Sequence, residues 1–195
     1  MTTDSSAATR PDARERIVTT AYDLFSRRGI RDVGIDEVIA RSGVAKATLY
    51  RHFPSKEALV LAFLDRREQL WTVGFVEAQA RQRGGTPTGR LLAIFDAFDG
   101  WFRRPEEFDT CSFINILLEM GPAHPLGQAS IRYLANIRAL VRTFAEEAGL
   151  ADPEGFAHSW HILMKGSIVA AAEGDRDAAL RARDMGRDLL ARHRV

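Results

Sequence analysis

Five side chains between residues 46 and 52 combine chemical groups that proteins use to contact nucleic acid. Within seven residues the chain supplies two cations, a hydroxyl, a phenol and an imidazole. Such groups suit phosphate oxygens and base edges in a major groove. The types and their spacing predict a helix face that contacts a nucleic acid, made of Lys46, Thr48, Tyr50, Arg51 and His52.

A glycine turn is predicted to position this face. Two helices of about two turns each, at 35–41 and 46–53, flank Ser42-Gly43-Val44. Glycine takes the left-handed backbone of such a turn at little cost, and the arrangement is that of a helix-turn-helix. The small core beneath the turn is predicted to consist of Val38, Val44, Leu49 and Phe53.

The rest of the chain also shows helical periodicity. A first helix is expected over 11–28, a long fourth helix over 55–82 with Ser55 as its N-cap, and five more helices towards the C-terminus. The seven prolines fall between these segments, where they are tolerated. No alternating strand pattern of useful length occurs. The predicted fold class is all-α, with about nine helices.

The segment from Gly43 to Leu59, Gly-Val-Ala-Lys-Ala-Thr-Leu-Tyr-Arg-His-Phe-Pro-Ser-Lys-Glu-Ala-Leu, resembles the helix-turn-helix signature of the TetR family of transcriptional regulators. The resemblance implies a three-helix DNA-binding domain at 1–57, with a disordered arm at 1–9. It implies a long connecting helix and a ligand-binding and dimerisation domain at 58–195.

The expected DNA contacts combine positions that match the family with basic residues of the N-terminal arm. They are Arg10, Arg14, Gly34, Lys46, Ala47, Thr48, Tyr50, Arg51, His52 and Lys56. Gly34 stands where the family usually has Thr and Ala45 where it usually has Ser, so phosphate contacts there are left to backbone N–H groups. Arg51 is the candidate for sequence discrimination, because this position varies in the family. The alternative for these cations is a solvated helix face.

Composition excludes several classes of protein. The net charge is only +1, yet the segment 10–56 contains ten basic and six acidic residues. The single cysteine, Cys111, rules out an internal disulfide and a zinc site of several thiolates, and is more often a small buried hydrophobe than a redox sensor. A secretory signal, a membrane-length apolar run and the common catalytic motifs are missing from the sequence. We therefore expect a cytoplasmic protein that is not an enzyme and has no metal, cofactor or membrane partner.

The C-terminal half concentrates aromatic and soft apolar side chains with a few polar groups. This pattern predicts a pocket for a small, largely apolar effector, and an ordinary helical core is the alternative. The candidate pocket residues are Phe98, Trp101, Phe102, Phe113, Asn115, Trp160, His161 and Met164.

The last two predicted helices are rich in small residues, which allow helices to approach closely. They are the candidate homodimer interface, with intramolecular packing as the alternative. The residues are Gly166, Ser167, Ala170, Ala171, Ala178, Ala182, Met185 and Leu189. The function predicted from the whole sequence is a ligand-released repressor that binds a palindromic operator as a dimer. A regulator with no small-molecule response, and a small helical enzyme or carrier, are the competing hypotheses.

Overall fold

The computed structural model describes residues 12–194, a range that contains helices and their connections and no strand. The predicted arm at 1–9 and Arg10 lie outside the described residues. The helices are α1 (Ala13–Arg28), α2 (Ile35–Ser42), α3 (Lys46–His52), α4 (Lys56–Arg67), a π-helical segment (Glu68–Glu77), α5 (Ala78–Arg83), α6 (Pro87–Phe102), α7 (Ser112–Met120), α8 (Pro125–Glu147), α9 (Pro153–Ala172) and α10 (Ala178–Arg192).

Because α4, the π-helical segment and α5 are continuous, residues 12–194 form nine separate helices. The all-α prediction is confirmed, and the long helix agrees with the one predicted over 55–82. Ser55 caps it as expected, since its hydroxyl accepts a hydrogen bond from the Ala58 N–H at 3.1 Å. The sequence pattern did not predict the π-helical register in the middle of this helix.

Proline and glycine mark the helix ends as the sequence pattern predicts. Pro87, Pro125 and Pro153 occupy the first turns of α6, α8 and α9, where the missing N–H has no helical partner to lose. Gly29 ends α1 with a φ of 78°, and its N–H donates to the Phe25 carbonyl. Local capping chemistry therefore sets most of the element boundaries.

The chain divides into two compact units, Met1–Phe63 and Leu64–Val195. Both this division and the boundary expected between 57 and 58 fall within α4. In the first unit, α1 packs against α2 and α3. The core of this unit includes Ile17, Phe25 and Phe63, and the rings of Phe25 and Phe63 meet edge to face at 5.6 Å.

The second unit is built around an aromatic core from α6 and α9. Trp160 is fully buried, and its ring lies 5.1 Å from Phe95 and 5.2 Å from Phe156. It also lies against Gly186 of α10, where a Cβ atom would come within 2.8 Å of the indole ring. Glycine at 186 therefore allows α10 to approach α9 closely. Between residues 12 and 194, no helix is both long and apolar enough to cross a lipid bilayer.

Candidate functional site

The turn between α2 and α3 has the predicted glycine geometry. Gly43 has φ 64° and ψ 33°, the left-handed region that favours glycine, and it ends α2. The predicted core beneath the turn is confirmed, because Val38 and Leu49 are fully buried and Val44 and Phe53 are nearly so. The turn and this core together fix the orientation of α3 within the first unit.

One face of α3 is open to solvent. Lys46, Ala47, Tyr50 and Arg51 are exposed, and they follow the i, i+1, i+4, i+5 spacing of a single helix face. Tyr50 keeps 42% of its surface exposed, and its hydroxyl forms no hydrogen bond with any residue between 12 and 194. Thr48 and His52 are half-buried and lie on the flank of this face. We call Lys46, Ala47, Thr48, Tyr50, Arg51 and His52 the α3 face.

The cations of the α3 face are weakly engaged by the protein itself. The Lys46 Nζ lies 3.3 Å from a carboxylate oxygen of Asp36, and both side chains are mostly exposed. An exposed pair of this kind contributes about 0–1 kcal/mol, so a phosphate can replace it. Arg51 forms no hydrogen bond or ion pair with any residue between 12 and 194. Both cations are therefore available to an external anion.

The remaining predicted contacts surround the turn. Gly34 precedes α2 and Ala45 precedes α3, and neither gives a side-chain cap, so backbone N–H groups remain at the start of α2. Lys56 is half-buried in the first turn of α4. The exposed Arg14 places its guanidinium 5.4 Å above the ring of Phe53, which borders the α3 face.

Charge pairing elsewhere in the first unit holds its frame. Arg28 of α1 pairs with Glu37 at 2.7 Å and donates to the Asp32 carbonyl, and Arg41 also reaches Glu37 at 3.0 Å. The Glu37 carboxylate of α2 is thus paired with two arginines. In the described part of the chain, the cations of the α3 face have no such partner apart from the exposed Asp36 contact of Lys46.

A small cavity lies in the second unit. Its volume is about 20 Å³, which is room for about one water molecule, and its free surface is apolar. Four of the predicted pocket residues, Phe98, Phe113, His161 and Met164, line it. The full lining is Trp71, Phe98, Cys111, Phe113, Ile114, Leu134, Ile137, His161, Met164, Lys165 and Ile168.

The other four predicted pocket residues lie outside this lining. Trp101 donates from Nε1 to the Glu107 carbonyl at 3.0 Å, and Phe102 packs beside it with ring centroids 5.5 Å apart. Asn115 donates to the Thr110 hydroxyl at 2.8 Å, and Trp160 belongs to the aromatic core. Trp101 and Phe102 pack against Phe98 in the cavity wall, and the Asn115 hydrogen bond holds the loop before α7.

Sequence reasoning missed several lining residues. His161, Met164, Lys165 and Ile168 follow the i, i+3, i+4, i+7 pattern of one helix face, so the pattern contained a signal for Lys165 and Ile168. Trp71 had no such signal, because it lies in the π-helical segment, where the α-helical periodicity does not apply.

Burial controls the protonation of the polar groups in the lining. Burial lowers the pKa of His161 to about 3, with smaller contributions from nearby Lys165, Arg138 and His158. Burial also lowers the pKa of Lys165 and raises the pKa of the Cys111 thiol. His161 and Cys111 are therefore neutral near pH 7, and a neutral thiol is a poor redox nucleophile.

An open groove runs between α9 and α10. Its volume is about 310 Å³, and it is lined by Ile162, Leu163, Gly166, Ser167, Ala170, Asp175, Ala178, Arg181, Ala182 and Met185. Ile162 and Met185 are 67% and 58% exposed, and Val169 nearby is 50% exposed. Among the predicted interface residues outside this lining, Ala171 and Leu189 are half-buried.

The glycine turn, the buried Leu49 and the exposed basic face of α3 define a helix-turn-helix DNA-binding protein. Comparison with known proteins agrees with this class. Residues 17–63 match the family model described as bacterial regulatory proteins, tetR family. The HTH-type transcriptional regulator EthR of Mycobacterium tuberculosis is 38% identical, over 71% of this chain and 80% of EthR. The activator FasR of Mycolicibacterium smegmatis is 42% identical over 46% of this chain and 40% of FasR.

Solved structures extend the likeness to the whole fold. SCO4454, a TetR-family transcriptional regulator from Streptomyces coelicolor, superposes with a TM-score of 0.81 at 28% identity, covering 93% of this chain and 95% of that protein. The structure of a TetR-type regulator from Streptomyces avermitilis superposes with a TM-score of 0.79 at 25% identity, covering 93% of this chain and 99% of that protein. The chain belongs to the TetR family and is a DNA-binding transcriptional regulator.

Proposed function

We propose that this protein acts as a homodimeric repressor that binds a palindromic operator through the α3 face and leaves it when a small, largely apolar effector binds. The observation that carries the proposal is the exposed, weakly paired cationic face of α3 behind a glycine turn. Since the proposed partner is DNA, we infer a cytoplasmic location and a regulatory role, with no catalytic one.

The proposed DNA contacts, in the α3 face and around it, divide by the chemistry of the group that each one supplies. Lys46 and Lys56 carry point charges suited to phosphate, and the N–H groups at the start of α2, after Gly34, suit a second phosphate. Arg51 has a planar fork that can read guanine in the major groove. Arg10 and Arg14 would add backbone or minor-groove contacts from the N-terminal side.

Dimerisation is proposed through the groove between α9 and α10. The large apolar side chains around it, Ile162, Val169 and Met185, are exposed on consecutive helices, and such patches mark association surfaces. Small residues in the groove, Gly166 and Ala170 among them, permit close helix contact. A two-fold dimer presents two recognition helices to major grooves about 34 Å apart, which explains the palindrome.

The effector is proposed to act through the cavity in the second unit. Trp71 in the cavity lining lies in the π-helical segment, which is continuous with α4, and α4 begins in the first unit. An effector that moves Trp71 therefore acts on the helix that joins the two units along the chain. It lowers DNA affinity if it binds the DNA-free state more tightly than the DNA-bound state.

A footprint on DNA flanking the protein's own gene tests the proposal. Wild type should protect a palindromic segment. Arg51→Ala should weaken operator binding by about 1–3 kcal/mol and relax the base preference at one position of each half-site. Arg27→Ala removes an exposed arginine of α1 outside the α3 face and is the matched control. Equal loss in both variants, or none in Arg51→Ala, would reject the assigned reading role.

Sedimentation tests the dimer. Met185→Glu places a charge in the groove and should convert the protein to monomer at micromolar concentration. Leu118→Glu, at a residue of α7 that is 78% exposed and outside the groove, should leave the dimer intact. A wild-type monomer, or a dimer that tolerates Met185→Glu, would contradict this interface.

A further inference from the structure

The polar residues of the cavity lining are all potential hydrogen-bond donors, with no carboxylate among them. Eight of the eleven lining residues are apolar, and the other three are Cys111, His161 and Lys165. An effector that binds here meets apolar walls on most sides. The polar group of such an effector must complement these three side chains, so it must accept hydrogen bonds.

His161 lacks a partner although it is almost completely buried. It is only 2% exposed, and its Nδ1 atom has no hydrogen-bond partner within residues 12–194. A buried polar atom without a partner is costly, and the cost is removed when a ligand supplies the missing hydrogen bond. The imidazole is neutral, so one of its ring nitrogens carries a proton to donate.

Lys165 lacks a counter-ion on the same side of the cavity. In the described part of the chain it makes no hydrogen bond or ion pair. Besides burial, the pKa of Lys165 is affected within the described residues by Arg138 of α8, whose positive charge repels the ammonium, and by Cys111, whose thiol is neutral. Within residues 12–194, Arg138 itself donates only to the Leu134 carbonyl, at 3.5 Å. Among residues 12–194, this side of the cavity therefore has two cations, Lys165 and Arg138, and no acidic residue among the groups that affect Lys165.

We propose that the effector is an amphipathic acid, with an apolar body in the cavity and a carboxylate against Lys165 and His161. This inference rests on the proposed ligand-binding role of the cavity and adds the chemical class of the ligand. The carboxylate would accept a charge-assisted hydrogen bond from the Lys165 ammonium and a second hydrogen bond from the His161 ring. Arg138 adds a favourable charge without direct contact.

The cavity must open to admit such a ligand. Its present volume of about 20 Å³ holds one water, and its free surface is apolar, so the polar atoms lie just behind the wall. Met164 is the lining side chain best suited to move, because an unbranched thioether adapts its shape at low cost. Displacement of this wall brings the ligand to Lys165 and His161, and the same step presses on Trp71.

Calorimetric titration of the full-length protein with acid and amide pairs tests the inference. The probes are benzoate and benzamide, 2-naphthoate and 2-naphthamide, and octanoate and octanamide, at pH 7.5. For at least one pair, the acid should bind roughly 10- to 100-fold more tightly than its amide, the range expected when one hydrogen bond becomes charge-assisted.

Variants assign the preference to Lys165. Lys165→Met should bring the acid and the amide within about twofold, whereas Lys165→Arg should keep the preference. Arg192→Met removes one positive charge from an exposed site of α10 outside the lining and should change nothing. Circular dichroism confirms that each variant is folded; Lys165 is only half-buried, so Lys165→Met should fold.

Three results would overturn the inference: no acid that saturates the protein, amides that bind as tightly as their acids, or a preference that survives Lys165→Met. A DNA titration with and without the bound acid distinguishes failure of the acid class from failure of the proposed ligand-released function. If a neutral compound releases DNA and no acid binds, the acid class is wrong and the effector response stands. If an acid binds as expected and DNA stays bound, the acid class stands and ligand release is wrong.

Discussion

Arg67→Met removes the cation from a buried ion pair that joins the end of α4 to the loop before α7. Arg67 is 5% exposed, and its two terminal nitrogens each donate to one oxygen of Asp109 at 2.8 Å. One of them also donates to the Thr110 carbonyl at 3.3 Å, which helps to hold Thr110 at its left-handed φ of 60°. Without Arg67, the Asp109 side chain, which is 15% exposed, has no cation to pair with among residues 12–194.

The free energy of unfolding is expected to fall by about 3–5 kcal/mol, the cost of removing one partner of a buried ion pair. Relaxation of Thr110 offsets part of it, because a β-branched residue in this backbone region is strained by about 1–3 kcal/mol. Removal of both charges in Arg67→Met/Asp109→Leu should cost less than Arg67→Met alone, since no unpaired charge then remains buried. The pair thus makes the loop conformation, and with it the Cys111 side of the cavity, dependent on α4.

Urea unfolding followed by tryptophan fluorescence measures this loss with probes that lie in the second unit. All three tryptophans, Trp71, Trp101 and Trp160, lie in that unit. Protein concentration must be held constant, because dimerisation contributes to the measured stability. Arg142→Met is the control: its ion pairs are exposed, and it should cost less than about 1 kcal/mol. A loss below about 1 kcal/mol for Arg67→Met, or a double variant less stable than the single one, would refute the reasoning.

Two further predictions concern buried groups of the second unit. The pKa of His161 is about 3 in the folded protein and 6.5 in the unfolded chain, so the free energy of unfolding should rise with pH between these values. At pH 5 the protein should be about 2 kcal/mol less stable than at neutral pH. Unfolding curves of His161→Gln should lose this pH dependence. Gly186→Ala should lower the free energy of unfolding by about 1–3 kcal/mol, because the new Cβ would meet the buried Trp160 ring. Gly100→Ala has open space around the Cβ and should raise the free energy of unfolding by about 0.5–1 kcal/mol. Equal melting temperatures for the two variants would contradict this packing.

Local features of the fold were predictable from the sequence. Gly43, Ser55 and the prolines act through their own backbone or through the next few residues, so their effect on helix ends can be read without tertiary information. The buried Val38 and Leu49 followed from helical periodicity in the same way. For this reason the helix-turn-helix and the number of helices agree with the sequence prediction.

Features that depend on long-range pairing were not predictable. Arg67 and Asp109 are 42 residues apart, and no local pattern links them. Trp71 reaches the cavity from a π-helical segment whose register departs from the periodicity used for prediction. Of the clustered aromatic residues, only packing decides that Phe98 lines the cavity while Trp160 fills the core.

The salt dependence of DNA affinity in Lys46→Ala tests the central claim, that the α3 face binds DNA. Anisotropy titrations on the footprinted operator at several salt concentrations should show weaker binding by Lys46→Ala. The slope of log K against log salt should fall by about one for each subunit's lost phosphate contact, while Arg27→Ala retains the wild-type slope. An unchanged affinity and slope in Lys46→Ala would contradict the assignment of the α3 face as the DNA-binding surface.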